Sequence, residues 1–246
     1  MMTELKIFAD NDQEIRLLEK RITELYDGKT ELVILEAGCG RKWVLNLSEI
    51  KYKLIGVDLD AEALSSRVNN EKDLDEAIVA DLQNFDIGRR QVDVIYNSFV
   101  LEHIENADKM LENFDRLLSA GGLLILKFPD RNTVFGFITR VTPFWVHVLF
   151  KKYIQGLKEA GKPGFAPYPT YYHPIVSREG IHEFCKSHGY SIKEEYGFCG
   201  YLRGKGVKTK LIRVVAILIS AGSLGKLPWK YNNLTYVLSK TGSSAK

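Results

Sequence analysis

Over the first half of the chain, short runs of aliphatic and β-branched residues alternate with polar or helix-patterned segments. Residues 32–38 (LVILEAG), 53–60 (KLIGVDLD), 76–82 (EAIVADL), 92–98 (VDVIYNS) and 122–129 (GLLILKFP) read as strands. Ile15, Leu18, Ile22 and Leu25 recur at helical spacing over residues 11–27, and Asp27-Gly28 ends that helix. Between the last two of these strands, Met110, Leu111, Phe114, Leu117 and Leu118 form an apolar helical face closed by Gly121-Gly122. This alternation predicts a parallel, doubly wound sheet.

After Pro129 the alternation stops for about 45 residues, too long for a simple connection in a compact domain. Residues 130–176 are therefore expected to form an inserted cap or substrate lid, with an aromatic, partly helical part and then a loop rich in proline and tyrosine. Regular pattern resumes with a helix over 177–190, opened by a Ser cap and ended at Gly189. Two more strands, 191–198 and 231–240, bring the count to seven. The expectation is one α/β domain spanning residues 1–246: a Rossmann-like, mostly parallel sheet of seven strands, with helices on both faces and the cap after the fifth strand. Residues 210–222 are apolar but too short and too basic to read as a membrane span.

A chain of 246 residues, 45% hydrophobic, can bury a substantial core. The formal net charge of +3 conceals a division. Residues 1–129 carry 16 Lys or Arg against 25 Asp or Glu, whereas residues 130–246 carry 18 against 6. From Cys199 onward there are nine Lys or Arg and no Asp or Glu, a balance suited to an anionic ligand, a phosphorylated carrier or a membrane surface. It also suits a solvated basic face that merely balances an acidic one. The three cysteines, Cys39, Cys185 and Cys199, lack the spacing of a zinc or redox site and point to a reducing compartment. The first 25 residues carry no apolar core of the secretory type, so a cytoplasmic protein is expected, with peripheral membrane contact left open.

Chemistry is expected where the first strand runs into "LEAGCGRKW". Ligands of parallel sheets bind beyond the carboxyl ends of the strands, and Gly38 and Gly40 permit a tight turn and close approach to the backbone. A dinucleotide fingerprint would need glycine at 43, where this chain has Trp43. Acids close three successive strands, Glu36, Asp58 and Asp81, with Asp58 at the distance from Gly38 that suits ribose hydroxyls. Each acid alone also reads as an ordinary turn or cap residue.

With "LEAGCG", "GVDLD", "ADL", "DVIYNSFVLEHI" and "LLSAGGLLILKFP", residues 30–129 resemble the class I S-adenosylmethionine-dependent methyltransferases. The resemblance implies S-adenosyl-L-methionine as cofactor and S-adenosyl-L-homocysteine as product. It assigns the methionine end to Glu36, Ala37, Gly38 and Gly40, the ribose to Asp58 with Leu59, and the adenine amino group to Asp81 with Leu82. Asn97, Ser98 and Phe99 would line the cofactor near its reactive methyl. Lys42 departs from the family's glycine-rich continuation, and the short span to the next strand implies a reduced first helix.

His103, in "LEHI", is a candidate base for a hydroxyl acceptor and equally a packing residue. Ubiquinone-pathway O-methyltransferases and small-RNA methyltransferases are similar here but carry E-x-x-E-H as a metal motif. This chain keeps Glu102 and His103 but has Phe99 in the place of the first Glu, so no metal is expected. Phe144, Trp145, Tyr168, Tyr171 and Tyr172 are candidate substrate-binding residues, with His173 a second catalytic candidate, unless these aromatics simply pack the cap. The leading expectation is methylation of a small-molecule acceptor, at oxygen, on a sugar or another biosynthetic intermediate. The alternatives are a membrane lipid or lipid-linked glycan as acceptor, and a cofactor-binding protein without chemistry. Nucleic acid fits less well, because the basic residues form no recognised binding motif.

Overall fold

The computed structural model describes residues 4–154, 156–161, 168–171 and 173–241. Eight strands form one sheet: β1 (Lys6–Ile7), β2 (Leu32–Ala37), β3 (Tyr52–Asp58), β4 (Glu76–Val79), β5 (Val92–Ser98), β6 (Leu118–Pro129), β7 (Tyr190–Phe198) and β8 (Asn233–Lys240). Their spatial order is β1-β7-β8-β6-β5-β2-β3-β4. β8 runs antiparallel to both of its neighbours, and every other pair is parallel. The eighth strand, absent from the sequence reading, is β1, a two-residue edge pairing with no periodicity to read.

Seven α-helices accompany the sheet among the described residues: α1 (Asn11–Tyr26), α2 (Ala61–Ser66), α3 (Ala107–Leu117), α4 (Val134–Val141), α5 (Phe144–Leu149), α6 (Arg178–His188) and α7 (Val207–Gly222). The period-2 pleat divides the core. Leu32 and Ile34 of β2 pack with Leu18 and Ile22 of α1, while Leu35 and Ala37 face the side holding Met110 and Phe114 of α3 and Ile181 of α6. α6 is capped as its sequence implies, by Ser177 Oγ accepting from Gly180 N and by Gly189 at φ +69°.

Two local expectations are corrected. Gly121-Gly122 does not close α3, because the chain leaves the helix at Leu118 and both glycines lie within β6. A side chain at Gly122 would meet the Asp93 carbonyl at 2.8 Å, so Gly122 serves close strand packing at a register irregularity, whereas Gly121, at φ +77°, faces open space and serves the backbone turn. The reduced helix expected between β2 and β3 is missing altogether, since residues 38–51 are irregular and are anchored by buried Leu45, Leu47 and Ile50. The stretch 130–176 holds α4, α5 and a π turn at Phe150–Ile154, and α7 from the C-terminal part packs beside them.

Candidate active site

The turn after β2 is held by backbone and buried charge. Gly38 N donates to the Val57 carbonyl (2.8 Å), and Gly40 N donates to Asp58 Oδ2 (2.8 Å) at the end of β3. Gly38, at φ +72°, has no room for a side chain, which would collide with Val100 Cγ2. Gly40, at φ +53°, faces open space that any side chain would begin to fill. Beneath the turn lies fully buried Arg67. Its guanidinium donates to Glu36 Oε2 (2.9 Å), to the Cys39 carbonyl (3.0 Å) and to Asp73 Oδ1 (2.7 Å). Burial pushes the Glu36 carboxyl upward, and Arg67 opposes that shift.

Two clefts have part of their walls at the end of β5. The first, of about 230 Å³, is lined by Glu36, Ala37, Gly38, Gly40, Lys42 and Ser98, among others. The second, of about 370 Å³, is lined by the next residue, Phe99, with Glu102, His103, Arg131, Tyr168 and Tyr171. Phe99 occupies the left-handed region at φ +57°, a strained conformation for a bulky residue. The Lys127 ammonium stands 5.5 Å from its ring centroid.

In the second cleft His103 Nδ1 lies 2.7 Å from the Pro169 carbonyl, an acceptor, so Nδ1 carries the proton and Nε2 keeps its lone pair. Burial holds the His103 pKa below its usual value. Glu102 is buried with Oε2 unpartnered, and burial pushes its carboxyl up to about 8. The Arg131 Nε is likewise buried and unpartnered.

The other expected site residues fall in different places. His173 is not brought to His103. It lines a wider depression of about 870 Å³, where Nε2 faces Asp108 Oδ2 (3.2 Å) and Nδ1 accepts from Ile175 N (3.4 Å), so both nitrogens order the turn before α6. Asn97 is fully buried, lines neither cleft and donates to the Ala37 carbonyl (2.9 Å), tying β5 to β2, while its Oδ1 is left without a partner. The Leu82 side chain belongs to the core, and Leu59 is exposed beside Asp58. Asp81 accepts from Gln83 N (2.9 Å) in a local turn just past β4. Phe144 and Trp145 are exposed on α5 and line neither cleft. Tyr172 lies outside the described residues. Sequence reasoning missed Arg67 and Arg131, which sit in no motif, and considered Glu102 only as the remnant of a metal motif. Among the described residues no group of His, Cys, Asp and Glu could hold a metal ion.

Residues 35–126, which contain both the glycine turn and His103, match the methyltransferase-domain family. This part of the chain is similar to methyltransferase domains. Two proteins of Mycobacterium tuberculosis, from strains CDC 1551 and H37Rv and both named as S-adenosylmethionine-dependent methyltransferases, are 31% identical over 113 residues. That match covers 45% of this chain and 41% of each relative, so the chain spans about two-fifths of their length. A protein of Mycolicibacterium smegmatis with a similar name is 28% identical over 163 residues, 65% of this chain and 62% of its own. Among solved structures, the magnesium protoporphyrin IX methyltransferase of Synechocystis PCC 6803 with bound SAH superimposes with a TM-score of 0.55 at 15% identity, covering 94% of this chain and 83% of that one. An S-adenosylmethionine-dependent methyltransferase of Clostridium acetobutylicum gives 0.53 at 16% identity, covering 95% and 93%. The chain thus has the fold of the class I methyltransferases.

Proposed function

We propose that the protein transfers a methyl group from S-adenosylmethionine to the hydroxyl of an acceptor held beside His103. The observation that carries this reading is the pair of clefts whose walls change over between consecutive residues, Ser98 and Phe99. A donor in the first cleft and an acceptor in the second would be separated by little more than the end of β5. That closeness suits in-line transfer.

The first cleft fits an α-amino acid end. Glu36 on one side and Lys42 on the other complement an ammonium and a carboxylate, and the space above Gly40 is open. Asp58 and exposed Leu59, at the end of β3, stand where a ribose and the edge of a flat ring would lie. When bound, S-adenosylmethionine supplies an electrophilic methyl group on a sulfonium. The chain's own residues do the rest. His103, kept neutral by its burial and held in the Nδ1–H tautomer by its bond to the Pro169 carbonyl, accepts the hydroxyl proton at Nε2. Tyr168, Tyr171 and Phe99 flank the acceptor and keep water from it. The unpartnered Glu102 carboxyl can hold an acceptor hydroxyl in place.

Isothermal titration of the purified protein with S-adenosylmethionine and S-adenosylhomocysteine, with NAD as control, tests the reading. Saturable binding of the first two with no response to NAD is expected. No heat from either sulfur compound, from protein that melts cooperatively, would overturn it.

A further inference from the structure

A groove of about 390 Å³ runs between α4, α5 and α7, lined by Phe135, Ile138, Val146, Phe150, Leu211 and Val215 among others. It is continuous with the His103 cleft, because Phe135, Thr139, His147, Lys151 and Tyr201 border both. A cleft that holds the polar groups of Glu102, His103 and Arg131 therefore adjoins a groove that is almost wholly apolar, an arrangement that suits an amphiphile.

The surface around the groove is apolar as well. α7 presents Val207 (83% exposed), Leu211, Val214 and Leu218 (65% exposed) at helical spacing, followed by Leu224 (87% exposed). On the other side of the groove, α5 and the turn after it expose Trp145, Leu149 and Tyr153. Exposed lysines and an arginine surround this apolar surface: Lys205, Lys208, Lys210, Arg213, Lys226 and Lys230. No acidic residue lies anywhere from Cys199 onward. An apolar stripe within a rim of one sign complements an anionic amphiphilic surface. A second copy of the chain would bring the same positive rim against itself. No helix of the described residues is long and apolar enough to cross a membrane, so any such contact lies in the plane of the interface.

We propose that the face formed by α5, its following turn and α7 docks on an anionic lipid bilayer, and that the groove receives the hydrocarbon chain of a lipid from that bilayer, with the polar end at His103. Only the placement of the polar end rests on the methyl-transfer reading. At that end, the unpartnered Arg131 Nε in the cleft wall suits an oxygen-rich head group.

Co-sedimentation of the full chain with vesicles of phosphatidylglycerol and phosphatidylcholine, and with vesicles of phosphatidylcholine alone, tests the docking at low and physiological salt. Binding to the anionic vesicles that weakens with salt but persists is expected. Leu218→Glu and Val207→Glu should each reduce it about tenfold or more by placing a charge in the apolar stripe, with an unchanged melting temperature. Uptake of a pyrene-labelled fatty acid reports on the groove, and Val215→Trp should abolish it by filling the space. Three results would overturn the proposal. One is absence of vesicle binding. Another is binding removed by physiological salt and indifferent to Leu218→Glu, which marks attraction to charge alone. The third is a dimer in solution that Leu218→Glu disperses, which makes the face a contact between copies. Fatty-acid uptake unchanged in Val215→Trp would overturn the groove assignment. Titration with S-adenosylhomocysteine on the same preparation separates these outcomes from failure of the methyl-transfer reading, because the docking face and the glycine turn share no residue.

Discussion

Arg67 has no exposure to solvent, and its role is set by the three oxygens it reaches. It neutralises Glu36 from below and holds the Cys39 carbonyl, so the shape of the glycine turn depends on a side chain from the start of a π turn. Replacing it with an uncharged side chain of similar length leaves a buried carboxylate without a partner. Arg67→Met is therefore expected to cost about 3–5 kcal/mol of stability, read by urea denaturation. A loss below about 1 kcal/mol, the scale of an exposed ion pair, would show that the charge is not buried as described. Arg67 was not legible in the sequence, because an arginine in "SSRVNN" carries no signal of burial. Glu36 and Asp58 were legible, because acids that end successive strands in a glycine-bearing α/β pattern stand out from the turn background. Tyr168 and Tyr171 reach the His103 cleft and Phe144 and Trp145 do not, although all four looked alike as aromatic residues in one insertion.

At the scale of elements, the unit that matters is β2, its turn and the end of β3. With no helix after the turn, Gly40 N–H has no helix N-terminus to join, and Asp58 takes its place as the organising charge. Asp58 Oδ1 also accepts from Asp60 N (2.9 Å), and Asp60 in turn caps α2. Asp58→Ala removes both contacts together. Affinity for S-adenosylhomocysteine is expected to fall at least tenfold, in line with the loss of a charge-assisted hydrogen bond worth about 1.5–3 kcal/mol. Unchanged affinity by titration would mean that Asp58 organises the loop without serving the ligand. The fates of the two helix ends show the limits of local reading. Gly189 closes α6 as expected, because a single glycine after a helical pattern is stereochemically a left-handed cap. Gly121-Gly122 looked equivalent, yet tertiary pairing with β5 draws the chain into β6 before it reaches them.

For the whole molecule, the three elements of the C-terminal half, α6, β7 and β8, are locked by Glu195. Its carboxylate accepts from Arg178 (2.7 and 2.8 Å), His182 (2.7 Å) and Tyr236 (2.8 Å). Burial alone would raise its pKa, and these donors outweigh burial and hold it at about 2. A carboxyl depressed on folding stabilises the native state above its unfolded pKa and loses that contribution as pH falls through the folded one. Global stability should therefore drop by about 3 kcal/mol between roughly pH 4.5 and pH 2 on account of this residue. Thermal melts across that window should show the gap between the protein and its Glu195→Gln variant closing as pH falls. A gap that stays constant would contradict the assignment. Glu102 at about 8 and Asp130 at about 6 are shifted the other way by burial, so their contributions fade as pH rises, and their windows lie mostly above that of Glu195.

The seven longer strands in chain order, the helices at 11–26, 107–117 and 178–188, the glycine turn, the acids Glu36 and Asp58 at strand ends and the acid-free basic tail were determined by the sequence. Each is a local pattern of period, spacing or charge that needs no partner to be recognised. The tertiary structure alone decided which residues share a cleft. It separated His173 from His103, turned Asn97 inward to bind Ala37, buried Arg67 under Glu36, and set α7 against α4 and α5 around one groove. These are contacts between segments tens of residues or more apart, and they depend on how the sheet and the helices beside it pack, which no spacing along the chain encodes.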